Sequence, residues 1–188
     1  MLDRGLCKSA VISVVSEKSL SKAERLLKGY IASGACVPVC CDGLEKVERG
    51  DDLVLIAGMG GEEILKILKN SYIPKAFVFQ PMKNARQLRE YLLERGCALE
   101  YDGLFTETRA GITKHYFAIK GRAEGGTLCP YTEEELAFGR DGIGTPELKE
   151  LLNCELEKNL AYAQGDLSPD SREGVEKRIA FIQGVLEK

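Results

Sequence analysis

Residues 51–61 read DDLVLIAGMGG: two acids, a short apolar run, and then Gly58-Met59-Gly60-Gly61. The run DLVLIA (52–57) has the length and the branched side chains of a buried strand. It passes straight into a glycine-rich turn, where a backbone without Cβ atoms can come close to a ligand or to a second chain segment. No Gly-Lys-Ser/Thr follows, so the turn is not the phosphate-binding loop of a nucleoside-triphosphate hydrolase.

Working outward, SAVISVV (9–15) and CVPVCC (36–41) read as strands, and the segment between them carries Leu20, Ala23, Leu26, Leu27, Tyr30 and Ile31 at helical spacing. Ser21 and Glu24 fit a capping box there, and Gly34 supplies a stop. Downstream, GEEILKILKNS (61–71) reads as a helix, KAFVFQP (75–81) as a strand and NARQLREYLLERG (84–96) as a helix capped by Asn84, with Leu88, Tyr91 and Leu92 on one face. Apolar strands alternating with helices imply a parallel sheet covered on both faces.

After Gly96 the rhythm changes. ALEYDGLFTET and KHYFAIKG are separated only by RAGI, which leaves no room for a crossover helix, so they form an antiparallel hairpin. GRAEGGTLCP (121–130) reads as a linker. Beyond Pro146, Leu148, Leu152, Leu156 and Leu160 recur every four residues, and Val175, Ile179, Ile182 and Leu186 follow after GDLSPD. Two apolar stripes joined by a turn make an antiparallel helical hairpin, either packed back on the domain or offered to a partner. The expected domains are an α/β domain over 1–122 and a linker with the helical hairpin over 123–188.

The chain has 188 residues, enough for one main domain with an appendage, and 44% of them are hydrophobic. No run of uncharged apolar residues is long enough to span a bilayer, and Met1-Leu2-Asp3-Arg4 does not open a signal peptide. A soluble, cytoplasmic protein is expected. Seven cysteines and one histidine, His115, show no metal-ligand spacing, so the cysteines read as reduced packing thiols and no metal is expected. Residues 1–122 carry 19 Lys+Arg against 15 Asp+Glu, whereas residues 123–188 carry 7 against 14. Only the first part has a surplus that suits a polyanion.

In an open α/β sheet, ligands bind beyond the carboxyl ends of the strands. The residues there are Ser16-Glu17, Asp42-Gly43, Gly58 to Gly61, and Gln80-Pro81 to Asn84. Asp42 is placed to accept from an exocyclic amine, or else to cap a helix over LEKVERG. No Ser-His-Asp, paired-carboxylate or Cys-His set assembles at these ends.

In order along the chain, SEKSLSKAERLL, CDGLEKV, DDLVLIAGMGGEEI, FQPMKNARQLREYL and the terminal helices resemble the bacterial tRNA (adenine-22 N1)-methyltransferase family. The resemblance covers nearly the whole chain, and the pairing of IAGMGG with QP some twenty residues later is its most specific part. It implies an α/β fold: a Rossmann-like class I methyltransferase sheet with a C-terminal α-helical hairpin that helps engage tRNA. It further implies S-adenosylmethionine as cofactor and methylation of N1 of an adenine in tRNA. Residues implied for cofactor binding are Glu17, Asp42, Gly43, Leu44, Ala57, Gly58, Met59 and Gly60. Gly58, Met59, Gln80 and Asn84 are implied at the reacting groups, as positioning groups and not as an acid and a base. Lys83, Arg86 and Arg89 are candidate phosphate contacts, with a solvated helix face as the alternative.

Two departures from the family pattern stand out. Its members open on a strand with an acid- and glycine-rich turn, whereas MLDRGLCKSA resembles the end of the helix that follows; the sheet is therefore expected to be N-terminally truncated. The second strand ends in Val14-Val15-Ser16 where the family offers a ribose-binding acid, leaving Glu17 as the substitute. Weak cofactor binding, impaired activity and an oligomer formed through the exposed sheet edge or the helical hairpin are the expectations that follow. The alternatives are a noncatalytic tRNA-binding protein on the same scaffold and a doubly wound nucleotide-binding enzyme of unrelated chemistry.

Overall fold

The computed structural model describes residues 1–50, 53–126 and 130–188. Asp52, placed by sequence at the head of a strand, and residues 127–129 of the expected linker lie outside the described residues. The chain divides into two compact units, Met1–Asp51 with Leu65–Pro74, and Asp52–Ile64 with Lys75–Lys188.

The first unit is a βαβ crossover. Strand β1 (Ala10–Val14) and strand β2 (Cys36–Cys40) pair in parallel from Ala10↔Cys36 to Val14↔Cys40. Between them the single expected helix is two, α1 (Glu17–Leu26) and α2 (Lys28–Ala32), interrupted at Leu27. Helix α1 also starts earlier than expected. The Ser16 side chain accepts from the Ser19 amide, so Ser16 is the cap and the Ser21/Glu24 capping box does not form. LEKVERG is no helix but a run of turns, which removes the helix-capping alternative for Asp42. The Ser13 hydroxyl donates to the Gly43 carbonyl and pins this turn to β1.

The second unit holds a four-stranded sheet in the order β3-β4-β6-β5, made of β3 (Leu53–Met59), β4 (Ala76–Pro81), β5 (Cys97–Arg109) and β6 (Ile112–Gly125). Strands β3 and β4 are parallel, and β6 runs antiparallel to both β4 and β5. The hairpin expected after Gly96 is present and longer than the sequence suggested, since β6 takes in the first half of the expected linker. The continuous parallel sheet expected from the alternation is instead two ladders, β1-β2 and β3-β4-β6-β5.

Helix α3 (Gly61–Asn70) carries Glu62 and Glu63 in its first turn and Lys69 in its last, the charge order that the helix dipole favours. Helix α4 (Ala85–Glu94) buries Ala85, Leu88, Arg89 and Leu92 on one face. A short helix that the pattern reading passed over, α5 (Glu133–Phe138), starts at a full capping box between Thr132 and Glu135. Helices α6 (Pro146–Ala163) and α7 (Pro169–Leu186) form the expected hairpin, each with proline in its first turn and a Thr145 or Ser168 cap.

One face of that hairpin folds back on the sheet. Leu148, Leu152, Ile182 and Val185 form a buried cluster with Phe138 of α5 and Leu104 of β5. Each such side chain contributes roughly 1.5–3 kcal/mol through the apolar surface it removes from water. The stripe fades toward the far end, where Leu160 is exposed.

Candidate functional site

The glycine-rich segment is not simply a turn after a strand. Strand β3 continues through Gly58 and Met59, with an irregularity in its register against β4 between Ala57 and Met59. Gly58 makes this bend because its φ is 78°, a left-handed backbone that costs a residue with Cβ on the order of 1–2 kcal/mol. Only Gly60 is left as connection before α3, and the Glu63 carboxylate reaches back to its amide at 2.5 Å.

This bend is stitched to the end of β4 and the segment after it at four successive levels. The Gly58 amide donates to Gln80 Oε1 at 2.9 Å, and the Met82 amide to the Met59 carbonyl at 2.8 Å. The Gly61 amide donates to the Lys83 carbonyl at 2.8 Å, and Asn84 Nδ2 to Glu62 Oε1 at 2.8 Å. Gln80 is used at both ends, since its Nε2 lies 3.2 Å from Met82 Sδ. Asn84 occupies the position before α4 but does not cap it. Its φ is 55°, and its amide is spent on Glu62, so the capping role expected for it is replaced by a cross-turn bond.

The glycines do different work. A Cβ on Gly61 would lie 2.8 Å from the Asn84 carbonyl carbon, so glycine here permits the close approach of two backbones. A Cβ on Gly58 would meet nothing within 4 Å, so Gly58 leaves space open beside the carboxyl end of β3.

Sequence reasoning thus named a set, Gly58, Met59, Gly60, Gln80 and Asn84, that the fold brings together at the ends of β3 and β4, with Ala57 just before them. It missed Glu62 and Glu63, whose signal was their place two and three residues after Gly60, where side chains can reach back over a helix start. Glu17, Asp42, Gly43 and Leu44 belong to the other unit, at the ends of β1 and β2. There Asp42 is exposed, while Leu44 is buried and anchors the turn. Gly43, at φ 56°, packs its α-carbon against Ile67. Glu17 accepts from the Cys40 thiol and, with burial, raises the pKa of that thiol.

The cations expected to meet phosphates divide three ways. Lys83 is exposed. Arg86 is held by Glu133 and Glu90, which together raise its pKa. Arg89 is a correction: it is fully buried, with Nε at 2.8 and 2.9 Å from the two Asp102 oxygens and Nη1 donating to the Leu136 and Ala137 carbonyls. Arg89 is thus neither a phosphate contact nor part of a solvated face: it forms the seam that joins α4 to β5 and α5.

The family model described as a methyltransferase domain matches residues 1–113. The chain belongs to that methyltransferase family. Among solved structures, this methyltransferase has the fold of the M. capricolum TrmK complex with S-adenosyl-homocysteine, at 20% identity and a TM-score of 0.83, covering 99% of this chain and 84% of that one. Streptococcus pneumoniae Sp1610 in complex with S-adenosyl-L-methionine is similar at 22% identity and TM-score 0.81, with 98% and 84% covered. The B. subtilis m1A22 tRNA methyltransferase TrmK is similar at 18% and 0.73, with 95% and 82% covered. No curated protein matches the chain. Among the described residues of this methyltransferase, no helix is long and apolar enough to cross a membrane.

Proposed function

We propose that this methyltransferase transfers a methyl group from S-adenosylmethionine to N1 of an adenine in tRNA, at the position numbered 22. The observation that carries the reading is the pair of turns stitched from Gly58–Gly61 to Gln80–Asn84, at the carboxyl ends of two parallel strands. The shared fold with a tRNA methyltransferase and with two cofactor-bound structures supports it.

The residues present fit the cofactor's chemistry. Asp42 offers an exposed carboxylate at the end of β2, suited to hydroxyl or amine donors of a nucleoside, and Gly58 keeps the end of β3 open. Within the second unit, Ala57 to Gly60 would lie along the methyl donor. When bound, the cofactor supplies an activated methyl on a sulfonium.

The chain's own task is alignment. Adenine N1 already carries a lone pair, so no side chain has to remove a proton before attack. The stitched turns fix the backbone past which the base must enter, and holding the reacting atoms in line removes much of the entropic part of the barrier. The base has to leave its stack first, at a cost of a few kcal/mol.

Incubation of the full chain with labelled S-adenosylmethionine and tRNA tests the reading. Label should enter the RNA and be lost when the target adenine is replaced by guanine. RNA binding without label transfer would favour the noncatalytic scaffold instead.

A further inference from the structure

Beside the Met82–Arg86 turn, the second unit contains an open groove of about 600 Å³ bounded by the start of α4, by β6, by α5 and by the hairpin α6–α7. Its apolar lining includes Phe117 and Phe181, both partly buried against the core cluster, and Met82, which is exposed. Its cations are Lys83, Arg86, Lys177 and Arg178. We propose that this groove seats the tRNA segment flanking the target adenine, with a base against Phe117 and Phe181 and with phosphates on Lys83, Lys177 and Arg178. This rests on the function proposed above and names where the same substrate continues past the reacting base.

Three observations select RNA as the occupant. First, the groove shares Met82, Lys83 and Asn84 with the stitched turns, so a strand delivering a base there would run directly into it. Second, aromatic faces flanked by cations are what unstacked nucleotides need: every base has a face to stack, and every linkage a phosphate to neutralise. Third, the volume falls within the range of small-ligand sites, enough for one or two nucleotides.

The groove's acids do not cancel this. Glu155 holds Arg178 at 2.6 Å, Glu133 holds Arg86 at 2.8 Å, and Glu173, one turn before Lys177, holds it at 2.5 Å. All these pairs are partly or largely exposed, and such pairs contribute little to stability, so a phosphate can replace the carboxylate at small cost. The four cations of the lining outnumber its two acids, Glu133 and Glu155, so the groove keeps a positive surplus. Of the acidic C-terminal part, the groove takes two cations, Lys177 and Arg178, and one acid, Glu155, besides Glu133 at the start of α5.

The test uses the full chain, bulk tRNA with a fluorescent end label, and anisotropy over a salt series. Lys177→Gln with Arg178→Gln should lower the salt slope by roughly 0.7–0.9 per lost phosphate contact. Phe181→Leu, which keeps most of the volume that packs on the core, should weaken binding about tenfold through lost stacking. Lys158→Gln, the loss of one charge on α6 outside the groove, should leave the slope unchanged. In methyl transfer the groove variants should raise KM for tRNA with kcat and cofactor affinity retained. If the parent methylates tRNA and the groove variants match Lys158→Gln in slope and KM, the groove assignment is overturned while the function stands. If the parent binds no tRNA, both are overturned.

Discussion

The Gly58 amide donates to the Gln80 side-chain oxygen at 2.9 Å, so the bend at the end of β3 is held by a residue at the end of β4. A hydrogen bond of this kind contributes about 1 kcal/mol, and about 1.4 kcal/mol corresponds to tenfold in rate. Gln80→Ala should therefore lower kcat/KM for tRNA methylation about fivefold. Gln80→Glu keeps an acceptor for Gly58 and should lose less. Steady-state kinetics on both variants check this, and equal activity of Gln80→Ala and the parent would show that the bend is fixed without Gln80.

The two glycines beside that bond should separate in their effects. Gly61→Ala forces a Cβ into the Asn84 backbone and should destabilise the fold by about 1–3 kcal/mol in chemical denaturation. Gly58→Ala meets no atom, so its stability cost should stay near that of the left-handed backbone, about 1–2 kcal/mol. Its larger effect should be on cofactor affinity, measured by calorimetric titration, because the new methyl occupies the open space beside β3.

Arg89 and Asp102 are both essentially out of solvent and bonded to each other. Burial raises the Asp102 pKa and Arg89 opposes that shift, so each group depends on the other to be tolerable inside. Arg89→Met or Asp102→Leu alone should cost about 3–5 kcal/mol by leaving an unpaired buried charge, and the double replacement less than the sum. A double-mutant cycle from urea denaturation measures the coupling. Additive losses would mean that the two side chains contribute independently.

What sequence could read here follows from physics that is local. Apolar runs bounded by glycine at β3 and by proline at β4 announced those strands, and leucines every fourth residue announced α6, because both patterns record burial on one face. Arg89 was unreadable for the same reason: a cation on a helix counts as solvated unless its acid partner is known, and Asp102 lies 13 residues away on another element. The interruption at Leu27 was hidden because the residues around it continue a helical period. The capping box at Thr132 and Glu135 was legible in principle, yet six residues are too few to show a period. At the site, residue types marked Gln80 and Asn84, but their partners, Gly58 and Glu62, depend on two turns being laid side by side.

Cys97 gives a prediction in pH. The side chain is buried, and burial pushes its thiol up to about 11 from an ordinary 9.0. At pH 8 it should resist iodoacetamide while the exposed Cys154 reacts, which peptide mass mapping would show. The same shift sets a sign for stability. An unfolded thiol gives up its proton near 9.0, whereas the folded one keeps it to about 11. Cys97 therefore contributes fully below pH 9.0, and its contribution is lost as pH rises toward about 11. The parent should lose more stability than Cys97→Ala when both are denatured across that window. Parallel losses in the two proteins would mean that the alkaline loss comes from other groups.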